Sequence, residues 1–318
     1  MNEETYRLLY VFTDLILPLI VGYYLHRFNC ISDRLNSFII KFNVTTVYTL
    51  QTLLSFWVLP ISVALFLLIP FSTLFVLLPG LIGALTFARK HKNMLNHGSY
   101  IMSAMLSNLG TLGGVCAFIL YGEQGFAYTQ IVASCQNFML VMICFPLAQH
   151  YRNKFERKES SSSYNLKYLL SKFISVNQIS VIGIALGLLF NFYGIPRPQV
   201  FGHIFTFLVH FGAWTALIPV GYLINFSKAR YYYSRVWDLA LMHFVIVPVI
   251  IYIAAKMLFD NEILLNTLMI CAITPTAINA VIASRLYRLN VNLAVASFMM
   301  TTAMFLCIIF PILFFVIR

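Results

Sequence analysis

The chain has 318 residues, 60% of them hydrophobic and only 10% charged, with a mean hydropathy of +0.84. Soluble domains carry about 25% charged residues, so this composition excludes one, and the apolar character is spread so evenly that no separate soluble domain fits. The net charge of +11 is scattered through short loops, which is the positive-inside pattern of a membrane protein and not the single basic face that nucleic-acid binding needs.

Ten apolar spans are predicted in chain order. They are roughly 6–25, 35–58, 60–87, 98–121, 125–149, 168–192, 200–226, 236–258, 263–287 and 291–317. Span 2 has an amphipathic start, and span 3 carries Pro70 and Pro79. The N-terminus, Met1-Asn2-Glu3-Glu4, is acidic, and no small-residue cleavage motif follows the first apolar run. A removed signal peptide is therefore not expected. Five of the six cysteines lie inside spans, and only Cys30 is near a loop. Their spacing suggests neither disulfides nor zinc.

A polar stretch, Arg152 to Tyr164, contains the serine run 160–163 and is the one linker-like segment. It divides the chain into a first five-span repeat (1–150), a loop (151–167) and a second five-span repeat (168–318). Seventeen of the 21 Lys and Arg residues fall in or beside the loops that follow spans 1, 3, 5, 7 and 9. Those loops are predicted to be cytoplasmic and both termini outside, in the plasma membrane. Five spans before the loop and five after it give the halves opposite orientations. Three landmark pairs share one offset of 165 residues: Gly22 with Gly187, Gly110 with Pro275, and Phe145-Pro146 with Phe310-Pro311. An inverted repeat of this kind is an architecture of secondary transporters, whose substrate lies near the midplane between discontinuous helices.

Two spans carry the interruptions. In span 4, Ser107-Asn108-Leu109-Gly110-Thr111-Leu112-Gly113-Gly114 holds three glycines in eight residues, each costing about 1 kcal/mol against alanine in a helix. In span 9, Thr274-Pro275-Thr276-Ala277-Ile278-Asn279 contains a helix-breaking proline. Opened backbone survives at membrane depth only where protein buries it or a wet cavity lines it. Its amide groups and half-helix ends attract anions, and Asn108 adds a side-chain donor. Close helix packing through Gly110 and Gly114, and a simple proline kink in span 9, are the structural alternatives.

Asn108-Leu109-Gly110-Thr111-Leu112-Gly113-Gly114 followed by Leu120-Tyr121-Gly122-Glu123-Gln124-Gly125 resembles the fourth-helix signature of the auxin efflux carrier family. Thr274-Pro275-Thr276-Ala277-Ile278-Asn279 is similar to that family's ninth-helix motif. The resemblance extends weakly over nearly the whole chain, and the short central loop is similar to that of bacterial members. It implies an all-α membrane protein of ten helices in two inverted repeats, with helices 4 and 9 broken and crossing. It also implies a scaffold of spans 1, 2, 6 and 7, a mobile part of spans 3–5 and 8–10, and an organic-anion substrate such as malate or malonate. The family's proline after the second glycine pair is replaced here by Val115.

The candidate substrate-binding residues are Asn108, Gly110, Thr111, Gly113, Gly114, Gln136, Asn137, Thr274, Pro275, Thr276 and Asn279. Asp14 is the one carboxylate clearly inside a span and the candidate for ion coupling, because a charge at the bilayer centre costs at least about 2.5–3.5 kcal/mol. His203, His210 and His243 lack metal-ligand spacing and are read as structural. No phosphate-binding Gly-x-x-x-x-Gly-Lys motif and no facing intramembrane acids occur, so an ATP-driven pump and an intramembrane enzyme are disfavoured. The expected partners are the lipid bilayer and a small organic anion, with no cofactor, metal or nucleic acid. A homodimer is compatible with this pattern and not required by it. The remaining alternative is a non-transporting regulator on a carrier-like scaffold.

Overall fold

A computed structural model describes residues 10–156, 179–222 and 230–316, and these are all-helical with no strands. The helices are α1 (11–27), α2 (33–57), α3 (63–85), α4 (Met94–Met105), α5 (109–121), α6 (123–156), α7 (Ser180–Phe192), α8 (Gln199–Tyr222), α9 (237–258), α10 (Glu262–Ala272), α11 (Ile278–Leu286) and α12 (291–316). Five helical stretches are long and apolar enough to cross a membrane: Val63–Leu85, Leu109–Glu156, Gln199–Tyr222, Trp237–Leu258 and Val291–Leu313. The starts of predicted spans 1 and 6 and the end of span 7 lie outside the described residues.

Gly122 divides α5 from α6. Its backbone (φ 62°, ψ −150°) is the left-handed kind that glycine adopts without a Cβ penalty. The predicted loop at Arg152 begins later than the composition suggested, because α6 runs on to Glu156. An Arg152–Glu156 ion pair at 2.5 Å and a Gln149–Asn153 bond at 2.7 Å, both four residues apart, hold that last turn. The remainder of the loop lies outside the described residues.

Several helices contain a π-helical turn. Leu140–Cys144 precedes Phe145-Pro146, and Phe305–Ile309 precedes Phe310-Pro311, so the two turns stand at the same 165-residue offset as the prolines. Proline has no N–H and its ring clashes with the carbonyl four residues back, and a wider turn relieves both problems.

The chain forms two compact units. The first comprises residues 1–63, 110–130 and 174–224. Within it α7 lies on α2 and α8 lies on α1. The contacts are backbone-close: a Cβ on Gly187 would stand 2.5 Å from the Leu53 carbonyl, and one on Gly22 would fall on that of Ile218. Small residues allow this approach, which drives helix association where lipid removes the hydrophobic difference. Leu54, Phe126, Phe205 and Val209 form its core cluster. Buried amides lock it: Asn43 Nδ2 donates to the Gly212 carbonyl (2.9 Å), Gln51 Nε2 to that of Leu208 (2.6 Å), and Asn191 Nδ2 to that of Leu59 (2.8 Å).

The second unit comprises residues 64–109, 131–173 and 225–318. Here α4 is the central element, packed by α3, α6, α11 and α12. Its last two turns, from Gly98 to Met105, are buried throughout. The prolines of α3 leave it divided at Thr73, whose hydroxyl donates to the Pro70 carbonyl at 2.6 Å.

Candidate functional site

In the second unit both predicted interruptions are present, and they pair with each other. α4 ends at Met105, and α10 ends at Ala272 with α11 starting at Ile278. The intervening stretches lie antiparallel, with Ser107 opposite Thr276. Asn108 N–H donates to the Pro275 carbonyl and Ala277 N–H to the Leu106 carbonyl, both at 2.7 Å. Two broken helices thus replace part of their lost ladders with a two-rung strand pair, as buried backbone requires.

In this pairing the Ser107 and Thr276 backbone groups point away from the opposite stretch. Side chains collect them. Gln136 Oε1 accepts from Ser107 N–H (3.0 Å), and Gln136 Nε2 donates to the Ser107 carbonyl (2.7 Å). Thr301 Oγ1 accepts from Thr276 N–H at 3.1 Å. The freed carbonyl of Ser103 takes Thr276 Oγ1 (3.0 Å) and lies 3.2 Å from His243 Nε2. Thr274 Oγ1 donates to the Cys271 carbonyl at 2.8 Å, one of the acceptors left behind by Pro275. Every one of these groups is buried.

The sequence-predicted residues therefore divide by what their side chains are doing. Gln136, Thr274 and Thr276 are fully engaged in holding the crossover together, and Pro275 supplies one of its carbonyls. Asn108, Asn137 and Asn279 make no side-chain hydrogen bond among the described residues. Asn108 sits directly in the pair, opposite Pro275. Asn279 occupies the second position of α11, and Asn137 neighbours Gln136 on α6. The interruption of span 4 falls at residues 106–108, ahead of the glycines, because that is where the strand pair and Gln136 can take over the backbone bonds.

The glycine run itself belongs to the first unit, which the chain enters after Leu109. Leu109–Gly113 is a π-helical turn, and Gly114 continues as α-helix through Val115. The Gly110 carbonyl accepts from Gln130 Nε2 at 3.2 Å, and Thr111 Oγ1 accepts from the Tyr48 hydroxyl at 2.8 Å. A Cβ on Gly114 would stand 2.9 Å from Gln130 Nε2, so this glycine makes room for the side chain that holds Gly110.

Two pairings in the first unit escaped the sequence analysis. Asp14, 3% exposed and set in the π turn Val11–Ile16, stands 2.5 Å from His210 Nδ1. Glu123, the residue after the Gly122 kink, takes both Arg197 guanidinium nitrogens at 2.7 and 3.0 Å, and Arg197 Nη1 also donates to the Leu54 carbonyl at 2.9 Å. Signals for both existed. His210 lies about as deep in span 7 as Asp14 does in span 1, and Arg197 is one of the few basic residues on the side predicted to be outside. His243, read as structural, reaches the Ser103 carbonyl on α4.

No protein-family model matches the chain, and no curated protein matches it.

Proposed function

We propose that the chain is a secondary transporter of a small organic anion, of the auxin efflux carrier type, embedded in the plasma membrane. The observation that carries this reading is the antiparallel pairing of two helix breaks beside unbonded asparagine side chains. Building that pairing costs helix hydrogen bonds in two spans, and a merely structural bundle gains nothing from it. Asn108 and Asn279 each offer an amide donor for a carboxylate oxygen, a hydrogen bond strengthened by the acceptor's charge. The start of α11 adds the positive end of a half-helix.

The finer architecture follows the same reading: ten spans in two inverted repeats, termini outside, and spans 3 and 8 in corresponding positions. The glycine contacts support it. Span 1 meets span 7 through Gly22, and span 6 meets span 2 through its counterpart Gly187, which is the exchange an inverted repeat produces. The matched π turns before Pro146 and Pro311 point the same way. Spans 1, 2, 6 and 7 also fall in one compact unit, together with the second half of span 4 and the first turns of span 5.

The test is counter-flow of labelled mono- and dicarboxylates in proteoliposomes. The wild type is expected to show saturable exchange. Asn108→Ala and Asn279→Ala are each expected to weaken binding by about 10- to 100-fold, the equivalent of one charge-assisted hydrogen bond. Their unfolding should change by no more than about 0.5 kcal/mol, since neither side chain makes a hydrogen bond among the described residues. Unchanged affinity in both variants would move the site elsewhere. Absence of any saturable flux would leave a non-transporting regulator on this scaffold.

A further inference from the structure

We propose that the Asp14–His210 pair is a proton-binding site, with His210 Nε2 as the atom that takes and releases the proton. Its use in coupling rests on the transporter reading above, whereas the binding itself does not. Three observations carry it. Asp14 Oδ2 and His210 Nδ1 are 2.5 Å apart, so one hydrogen lies between them. His210 Nε2 is buried and has no hydrogen-bond partner among the described residues. Asp14 sits in a π-helical turn, a distortion that costs helix bonds and recurs at functional sites.

The charge states follow from the geometry. With Nδ1–H donated to the carboxylate and a lone pair on Nε2, the pair carries a net charge of −1 inside an apolar bundle. A proton taken onto the Nε2 lone pair forms an N–H bond and brings the pair to zero. The charged state is the one the membrane interior penalises, and the proton reaches or leaves Nε2 only when water or a conformational change gives access to it.

Among the described residues, no competing ion lies beside the pair. Thr13 Oγ1 donates to Asp14 Oδ1 at 3.3 Å. Tyr10 lies against the His210 ring, with centroids 4.3 Å apart, and Phe118 of α5 meets it edge-on at 6.1 Å. Among the described ionisable groups on the packed elements, the Tyr48 hydroxyl of α2 is given to Thr111, Glu123 and Arg197 bind each other, and Asp33 accepts from Tyr222. Lys41 of α2 and His203 of α8 are exposed, and His26 and Arg27 stand at the far end of α1.

Phe118 links the pair to the glycine-bearing helix of this unit. It lies one helical turn after Gly114 on α5, so the helix that carries the glycine run also packs on the titrating ring. Moving an anion inward against an inside-negative potential costs about 2.3 kcal/mol per charge per 100 mV, and one accompanying proton cancels that term for a monoanion.

The experiment is solid-state NMR of the full chain in lipid bilayers, with 15N-histidine and 13C-aspartate, over a wide pH interval. The proposal expects one ring whose Nδ1 correlates with an aspartate carboxylate and whose Nε2 gains and loses a proton over that interval. The signal should vanish in His210→Gln, change its pH profile in Asp14→Asn and persist in His203→Gln. A ring that stays in one protonation state throughout, or a profile unaltered by Asp14→Asn, overturns it. The aspartate correlation identifies the ring in the wild type alone, so a variant that fails to fold leaves the test intact. In proteoliposomes, an imposed pH gradient should drive carboxylate uptake in the wild type and have no effect in Asp14→Asn or His210→Gln. Uptake indifferent to the gradient in the wild type overturns the coupling role. A titrating ring in a protein without flux retains the proton site and removes the transporter reading.

Discussion

Gln136→Leu is the sharpest probe of the crossover. Leucine nearly matches glutamine in volume, so the change leaves little cavity and isolates the polar loss. Two bonds disappear, at 3.0 Å to Ser107 N–H and 2.7 Å to its carbonyl. Ser107 is 5% exposed; its N–H has no other partner among the described residues, whereas its carbonyl still accepts from Leu109 N–H at 2.9 Å. The abandoned N–H costs about 1–3 kcal/mol, and the carbonyl, which keeps one donor, loses about 0.5–1.5 kcal/mol, so the sum is about 3 kcal/mol. That is a large share of the roughly 5–15 kcal/mol that holds a typical domain together. Reversible denaturant unfolding in mixed micelles measures it. Gln136→Glu keeps the acceptor and, while protonated, the donor, so it should lose about half as much at low pH and more once ionised, when a carboxylate faces the Ser107 carbonyl. A loss below about 1 kcal/mol for Gln136→Leu would refute the reasoning, because the backbone of Ser107 would then have another way to be satisfied.

The remaining expectations concern groups outside the spans. Burial pushes the His91 imidazole down to about 4, with Lys90 adding to the effect and Asp238 opposing it. The unfolded chain binds this proton more readily, so the contribution of neutral His91 is complete above pH 6.5 and is lost as pH falls toward 4, amounting to at most about 3 kcal/mol. Thermal unfolding of His91→Gln against wild type should diverge only in that acid window, and parallel curves would disprove it. At the Gly122 kink, Arg197→Met leaves Glu123 largely buried without its cation. The expected loss is about 2–3 kcal/mol, below the 3–5 kcal/mol of a fully buried pair. The double variant with Glu123→Met should recover most of it, and a double-mutant cycle showing no coupling would exclude the clamp.

Membrane residence and helical class were legible in the chain because hydropathy and backbone need no partners to be read: in lipid, only a helix or a closed barrel satisfies every amide. The places where helices fail were legible for the same reason. Three glycines around Gly110 and a proline at 275 are local facts about hydrogen bonds that cannot form. What replaces those bonds is a non-local fact. Ser107 is served by a side chain 29 residues away and Asn108 by a carbonyl near the other end of the chain, so the break lies at 106–108 and not at the glycines. For the same reason Gln136, Thr274 and Thr276, polar residues that look free in the sequence, are occupied, while Asn108 and Asn279 have no side-chain partner among the described residues. Asp14 read as a solitary acid because charge pairing depends on distance in space, and only the packing of α8 on α1 brings His210 to it. Sequence reveals each unmet electrostatic demand at its own position, and tertiary contact alone decides which distant group meets it.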